Sequence, residues 1–108
     1  MTTISTEQPV VTLVNVFTVH PDRQQQLIDV LVEATKAVIS KVPGYVSANI
    51  HKSIDGTHVV NYAQWRARED FEAMLLRPDV RPHMAHAEAL AKYEPHLYEV
   101  TYTHHIEL

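Results

Sequence analysis

One predicted strand carries two side chains that can donate hydrogen bonds into the same space. Asn61 and Trp65 lie four residues apart in the β-prone segment from His58 to Arg66, and residues at i, i+2 and i+4 of a strand project from one face. Ala63 lies between them, and its small side chain leaves volume for a bound molecule. An amide and an indole N–H that share a dry face can stabilise negative charge on a ligand oxygen.

A second amide belongs to the first predicted strand. Asn15 lies in the middle of a β-branched and aromatic run from Val10 to Val19, on the face that also carries Leu13 and Phe17. A buried amide without a partner costs about 1–3 kcal/mol, so its position favours a ligand site. We expect a mostly apolar pocket with a few directed polar groups. Its predicted wall residues are Ala63, Phe71, Met74, Ala85 and Leu90.

Each candidate also has a structural interpretation. A large strand aromatic such as Trp65 belongs to a core or an interface more often than to a site, and Asn61 can satisfy backbone groups at the edge of a hairpin. His51 and His86 are candidates for substrate contact or for a general base, because histidine is the side chain that titrates near neutral pH. His51, near a hairpin end, also fits a partly exposed polar residue.

Composition excludes several classes of function. The chain has 108 residues, 45% of them hydrophobic, and a net charge of −4 with no basic cluster, so no nucleic-acid partner is expected. No apolar stretch approaches the roughly 20 residues of a membrane span, and Met1 to Glu7 lacks the pattern of a signal peptide. We therefore expect no membrane partner and, by default, a cytoplasmic location.

Cofactor and metal sites are not predicted. The chain has no cysteine and only two glycines, which leaves no thiolate ligand and no phosphate-binding loop. His83 and His86 lie one helical turn apart and His104 is followed by His105. Adjacent strand residues point to opposite faces, and no third ligand has suitable spacing.

The element order indicates one α+β domain of ferredoxin-like type. We expect a flexible tail over residues 1–8 and a single domain over 9–108. The predicted elements are a strand at 10–19, a helix from His20-Pro21-Asp22 to Pro43-Gly44, a hairpin of strands at 45–52 and 58–66, a helix from Arg68 interrupted at Pro78, a second piece at 82–93 closed by Pro95, and a strand at 97–106. This β-α-β-β-α-β order predicts a four-stranded antiparallel sheet with the helices on one face.

The opposite face of that sheet is apolar. Val14 and Val16 from the first strand and Val60 and Tyr62 from the third would lie on it. An apolar face of this size is usually covered, and a twofold dimer is the commonest way to cover it. We therefore expect a homodimer formed through the sheets.

Several segments together resemble the antibiotic biosynthesis monooxygenase family. They are Val42-Pro43-Gly44-Tyr45, Asp55-Gly56-Thr57, Val59-Val60-Asn61-Tyr62-Ala63-Gln64-Trp65, Val14-Asn15-Val16-Phe17-Thr18-Val19-His20 and Arg81-Pro82-His83. The pattern is most similar to the small anthrone oxygenases of aromatic polyketide pathways. That resemblance implies oxidation of a reduced tricyclic aromatic to a quinone by O2, without metal, flavin or haem, through a substrate carbanion.

The resemblance also assigns residues. Asn61 and Trp65 match the active-site Asn and Trp of the family, Asn15 matches a first-strand Asn of some members, and His51 falls where some members have a pocket histidine. Phe71 replaces a tyrosine of one branch, and the arginine of that branch is absent near Ala85 or His86. The rival interpretations are haem degradation, for which Asn15 and His86 would be required, and a non-catalytic dimeric module that binds aromatics.

Overall fold

The computed structural model describes residues 1–107, and its order of elements confirms the ferredoxin-like prediction. The strands are β1 (Val11–Val19), β2 (Tyr45–Lys52), β3 (His58–Trp65) and β4 (Ala91–Tyr98), and the helices are α1 (Gln24–Ala37), α2 (Arg68–Leu75) and α3 (Arg81–Leu90). Short 3-10 turns at Pro21–Arg23 and Ile39–Lys41 flank α1. Proline is tolerated in the first of these turns because its missing N–H would have no helical partner there.

The four strands form one antiparallel sheet in the order β2-β3-β1-β4. β1 pairs with both β3 and β4, and its register with β3 places Asn15 directly opposite Asn61. On the other side of β1, Asn15 lies opposite Pro95 of β4. The two amides predicted to lie in one layer are therefore cross-strand neighbours.

The core consists of two clusters of buried side chains between the sheet and the helices. One cluster combines Leu13 and Ala63 of the strands with Phe71 and Met74 of α2. The other combines Phe17 and Val59 with Leu27 of α1 and Ala87 of α3. Along β1 and β3, Asn15 and Asn61 occupy the positions between the two clusters, so the amide pair lies where the apolar core is interrupted.

The predicted end of the last helix and the position of the last strand were wrong. Helix α3 ends at Leu90, and β4 begins at the next residue, whereas the sequence predicted a helix to Tyr93 and a strand at 97–106. Pro95, predicted to end the helix, lies inside β4. β4 is an edge strand, and a proline without an N–H is tolerated at an edge because one side of the strand has no partner.

The face of the sheet opposite the helices is half-buried in the single chain. The side chains predicted to lie there, Val14, Val16, Val60 and Tyr62, are all of intermediate exposure. Part of this face is covered by the N-terminal segment, where the Thr3 carbonyl accepts a hydrogen bond of 2.6 Å from the Gln64 amide. Among residues 1–107, no helix is long and apolar enough to cross a membrane.

Candidate active site

A cavity of about 100 Å³ lies between the sheet and the helices. Its walls combine apolar side chains with a few polar ones: Leu13, Asn15, Phe17, Leu31, Ala34, Ile39, Asn61, Phe71, Met74, Leu75, His83, Met84, Ala87, Glu88, Tyr93 and Pro95. Glu88, Tyr93 and Pro95 are exposed, so the cavity opens at the edge formed by β4 and α3. The volume is below the roughly 300–1,000 Å³ of typical ligand sites. A polycyclic ligand therefore requires the flexible Met74 and Met84 side chains to move aside.

The amides of Asn15 and Asn61 form the polar floor of the cavity. They are paired across β1 and β3, and the Oδ1 atoms of both are buried with no hydrogen-bond partner in the protein. Unpaired buried acceptors of this kind cost about 1–3 kcal/mol each. Since rotation of an amide exchanges its carbonyl and NH2 groups, each side chain can offer an acceptor or a donor to a ligand. The structure thus brings together two of the three predicted catalytic residues.

Trp65 lies on the predicted face of β3 but does not line the cavity. Its side chain is 1% exposed, and its ring packs edge to face against Tyr45 and Phe71, with centroid distances of 5.9 and 6.1 Å. Phe71, which the indole contacts, is itself part of the cavity wall. Ala63 is buried beside Trp65 in the same cluster and does not line the cavity either. The predicted contact of these two residues with a ligand therefore stays a prediction.

The structure also places His51 and His86 away from the cavity. His51 is exposed on the opposite face of the sheet, since it is paired with Val60, and its Nδ1 atom lies 3.2 Å from the Asn49 carbonyl oxygen. His86 is exposed on α3. The cavity faces a stripe of α3 at 83, 84, 87 and 88, and a helix turns residues 85 and 86 to its other side. The histidine that does line the cavity is His83.

Of the other predicted wall residues, some line the cavity and some do not. Phe71 and Met74 of α2 are buried and line the cavity, as expected. Ala85 is exposed, and the half-buried Leu90 packs against the second core cluster. Ala85 is therefore outside the inward stripe of α3, and Leu90 packs into the core beside the cavity.

Sequence reasoning missed a hydrogen-bonded pair at the mouth of the cavity. The Tyr93 hydroxyl donates a bond of 2.9 Å to Oε1 of Glu88, and the tyrosine ring packs against Phe17 at a centroid distance of 6.0 Å. This hydrogen bond, with smaller contributions from burial and from the Glu88 charge, raises the pKa of Tyr93 above its usual value. The sequence did not indicate this pair because Tyr93 was predicted to be the last residue of a helix. Tyr93 and Pro95 share the inner face of β4, a relation that exists only if this segment is a strand.

No cluster suited to a metal ion occurs among residues 1–107: no three His, Asp or Glu side chains there are grouped so as to hold one. What the cavity offers is an apolar enclosure, two amides at its floor, and an imidazole, a carboxylate and a phenol along its α3 and β4 side. Such an arrangement can hold a flat aromatic molecule by its oxygen substituents.

Comparison with known proteins gives one family and one curated relative. The profile of the family described as antibiotic biosynthesis monooxygenase matches residues 10–96. The tetracenomycin-F1 monooxygenase of Streptomyces glaucescens is 46% identical over 103 residues, which span 95% of this chain and 92% of the relative.

Solved structures share the fold over most of the chain. SnoaB, a cofactor-independent oxygenase from Streptomyces nogalater, is 29% identical and superposes with a TM-score of 0.74 over 89% of this chain and 97% of its own. An asparagine-to-alanine variant of the same protein gives a TM-score of 0.79 at 28% identity, with the same coverage of both chains. A Chloroflexus aurantiacus protein with 23% identity has a TM-score of 0.72 over 91% of this chain and 99% of its own, and this likeness shows the fold alone.

Proposed function

The chain belongs to the antibiotic biosynthesis monooxygenase family, and from this premise we propose that it is a cofactor-independent oxygenase that converts an anthrone-type ring of an aromatic polyketide into a quinone. Its similarity to a tetracenomycin-F1 monooxygenase and to a cofactor-independent oxygenase supports the reaction class. The observation that carries the proposal is the Asn15–Asn61 pair, two unpartnered amides at the floor of an apolar cavity.

The proposed reaction needs only the substrate and O2. Loss of a proton from the ring CH2 group gives a carbanion that is delocalised through the flanking aromatic rings onto the carbonyl on the opposite side of the central ring, as an enolate. One electron passes from this anion to O2, and the resulting radicals combine to form a C–O bond. Loss of water from the hydroperoxide leaves the quinone carbonyl. One oxygen atom of O2 enters the product and the other leaves as water, so atoms and electrons balance.

The amide pair stabilises the enolate. An NH2 group from Asn15 or Asn61 donates a hydrogen bond to the enolate oxygen, and losing one such preorganised donor typically lowers the rate by about 10²–10³. Phe71 and Met74 supply apolar surface against the rings and exclude water, which strengthens these hydrogen bonds. We assign no general base, because delocalisation already makes the C–H acidic. The predicted candidates His51 and His86 do not reach the cavity, and His83, which does line it, is not required for this step.

We further propose that the active enzyme is a homodimer that pairs through the face of the sheet opposite the helices. The half-buried Val14, Val16, Val60 and Tyr62 side chains provide the apolar surface for that contact. The rival haem-degrading function is less well supported, since His86, the histidine it requires, is exposed outside the cavity.

The test is quinone formation from dithranol in metal-chelated buffer. We expect the protein to accelerate the reaction in air and to leave dithranol unchanged without O2, and ¹⁸O2 should label one oxygen of the quinone. The Asn15→Val/Asn61→Val double variant is the control, since it keeps the apolar enclosure and removes both amides. A rate equal to that of buffer would contradict the proposal, and binding without oxygen consumption would favour the non-catalytic alternative.

A further inference from the structure

The mouth of the cavity is closed on one side by Glu88 and Tyr93. Tyr93 projects from β4 and Glu88 from the last turns of α3, and the bond from the Tyr93 hydroxyl to Oε1 of Glu88 joins the two elements. The ring of Tyr93 is held against Phe17, its cross-strand partner on β1. Both side chains line the cavity, so the pair presents a fixed polar edge to a ligand.

The Glu88–Tyr93 pair can accept a further hydrogen bond from a ligand. The bond from Tyr93 uses Oε1 of Glu88, and the second carboxylate oxygen remains available. The Tyr93 oxygen, whose hydrogen is engaged in the bond to Glu88, keeps its lone pairs. A carboxylate is an acceptor only, and hydrogen bonds to a charged group are shorter and stronger than neutral ones. The matching ligand group is therefore an O–H donor.

The pair lies at a suitable distance from the amides for one ligand to contact both. Asn15 is opposite Pro95 and Phe17 is opposite Tyr93, so Asn15 and Tyr93 are diagonal neighbours on the inner face. Diagonal strand neighbours are about 7–8 Å apart at Cα, a spacing that fused aromatic rings bridge. A ring carbonyl held at the amides thus directs a substituent of an adjacent ring toward Glu88.

We propose that Glu88, positioned by Tyr93, binds a phenolic hydroxyl of the substrate and thereby selects polycycles that carry, on an outer ring, a hydroxyl in addition to those beside the ring carbonyl. This inference rests on the proposed function and adds a specificity determinant to it. The phenol donates its O–H to the free carboxylate oxygen while the amides hold the enolate oxygen.

Two anthrones that differ by one hydroxyl group test the proposal. Emodin anthrone carries a third phenolic hydroxyl that chrysophanol anthrone lacks, and the two are otherwise identical. Glu88→Gln keeps an oxygen for Tyr93 and replaces the second acceptor by a donor. We expect it to lower kcat/KM for emodin anthrone about tenfold, equivalent to about 1.4 kcal/mol, and for chrysophanol anthrone less than twofold. Glu33→Gln, which removes an exposed charge on α1, should leave both values unchanged.

Tyr93→Phe provides the second variant. Without its hydrogen bond Glu88 is less ordered, so the preference for emodin anthrone should fall by a smaller factor, with the chrysophanol anthrone rate again preserved. An equal loss for both anthrones in Glu88→Gln would overturn the proposal. If the wild-type protein oxidises neither compound, the proposed function fails. In that case the anaerobic dissociation constants of the same two anthrones, for wild type and Glu88→Gln, decide whether the hydroxyl contact exists.

Discussion

Asn15 and Asn61 are buried polar residues that lower the stability of the fold. On β1 the inner face runs from Leu13 to Phe17, and on β3 from Val59 to Ala63, with every one of these four side chains buried in a core cluster. At the middle position of each run an aliphatic side chain would join the clusters, yet both strands place an amide there with a buried, unpaired oxygen. Polar groups kept in this way against stability are typical of functional sites.

Replacing one amide by an aliphatic side chain should therefore stabilise the fold and slow the reaction. We expect Asn61→Val to raise the free energy of unfolding by about 1 kcal/mol, because a buried unpaired group is removed. Turnover of dithranol should fall by about 10²–10³ if this amide is an oxyanion donor. Urea denaturation and quinone absorbance measure the two effects.

Thr12→Val is the matched control for this experiment. Thr12 Oγ1 is also buried without a partner, but Thr12 lies on the opposite face of β1, away from the cavity. Its replacement should stabilise the fold by a similar amount and leave turnover within about twofold. Equal rate losses in both variants would point to a general effect on β1 instead of an amide contact.

At the scale of elements, the turn before β2 fixes the position of α2 over the cavity. Gly44 has a φ of +88°, and its carbonyl accepts a bond of 2.7 Å from the Arg66 N–H just after β3. The Asp70 side chain covers Gly44 and is held by Arg66, with an N–O distance of 2.9 Å. The next residue, Phe71, lines the cavity. The conformation of the turn at Gly44 therefore helps to set the position of Phe71 in the cavity wall.

Alanine at Gly44 should be more disruptive than alanine at Gly56. Both glycines have positive φ, 88° and 83°, which costs other residues about 1–2 kcal/mol. A Cβ at Gly44 would in addition overlap the Asp70 side chain, whereas at Gly56 the nearest atom, in Pro21, is 3.5 Å away. We expect Gly44→Ala to cost about 1–3 kcal/mol more than Gly56→Ala in urea denaturation.

Removing the Asp70 side chain separates the cost of positive φ at Gly44 from the cost of overlap between a Cβ at this position and Asp70. In an Asp70→Ala background the extra cost of Gly44→Ala should largely disappear, leaving the two glycine positions about equal. An extra cost that persists without the Asp70 carboxylate would mean that overlap with this side chain is not its cause.

For the whole molecule, the two faces of the sheet have different roles. The inner face carries the cavity and both core clusters. On the outer face Gln64 is 1% exposed and bonds the Thr3 carbonyl, while Val14, Val16, Val60 and Tyr62 remain half-buried. A chain of this size buries a modest fraction of its surface, so further burial of this face would add stability.

A charge on the outer face should therefore dissociate the proposed dimer. We expect wild type to sediment at about twice its chain mass of 12.3 kDa and Val60→Lys to sediment as a monomer, because burying an unpaired ammonium group is costly. Gln26→Lys, at an exposed position of α1 on the helical side of the sheet, should remain dimeric. A monomeric wild type at micromolar concentration would refute pairing through this face.

The sequence by itself determined the elements whose signals are local. Alternating β-branched residues gave β1, the Asp-Gly turn gave the β2–β3 hairpin, and the apolar stripe gave α1, because backbone preferences and side-chain periodicity act within a few residues. Together with the approximate positions of the later helices and the last strand, these elements were sufficient for the ferredoxin-like topology. They also placed Asn15 and Asn61 on inward faces, since strand parity needs no knowledge of the neighbouring strand.

The tertiary structure decided which side chains meet in the cavity. Pro95 reads locally as a helix breaker, but as an edge-strand residue it pairs with Asn15, and the shift of β4 that follows brings Tyr93 to Glu88. Trp65 faces inward as predicted, yet its ring packs against Tyr45 at the start of β2 and against Phe71 of α2. Residue type and spacing fix the face of an element on which a side chain lies. Packing between elements that are far apart in the chain fixes what that side chain contacts.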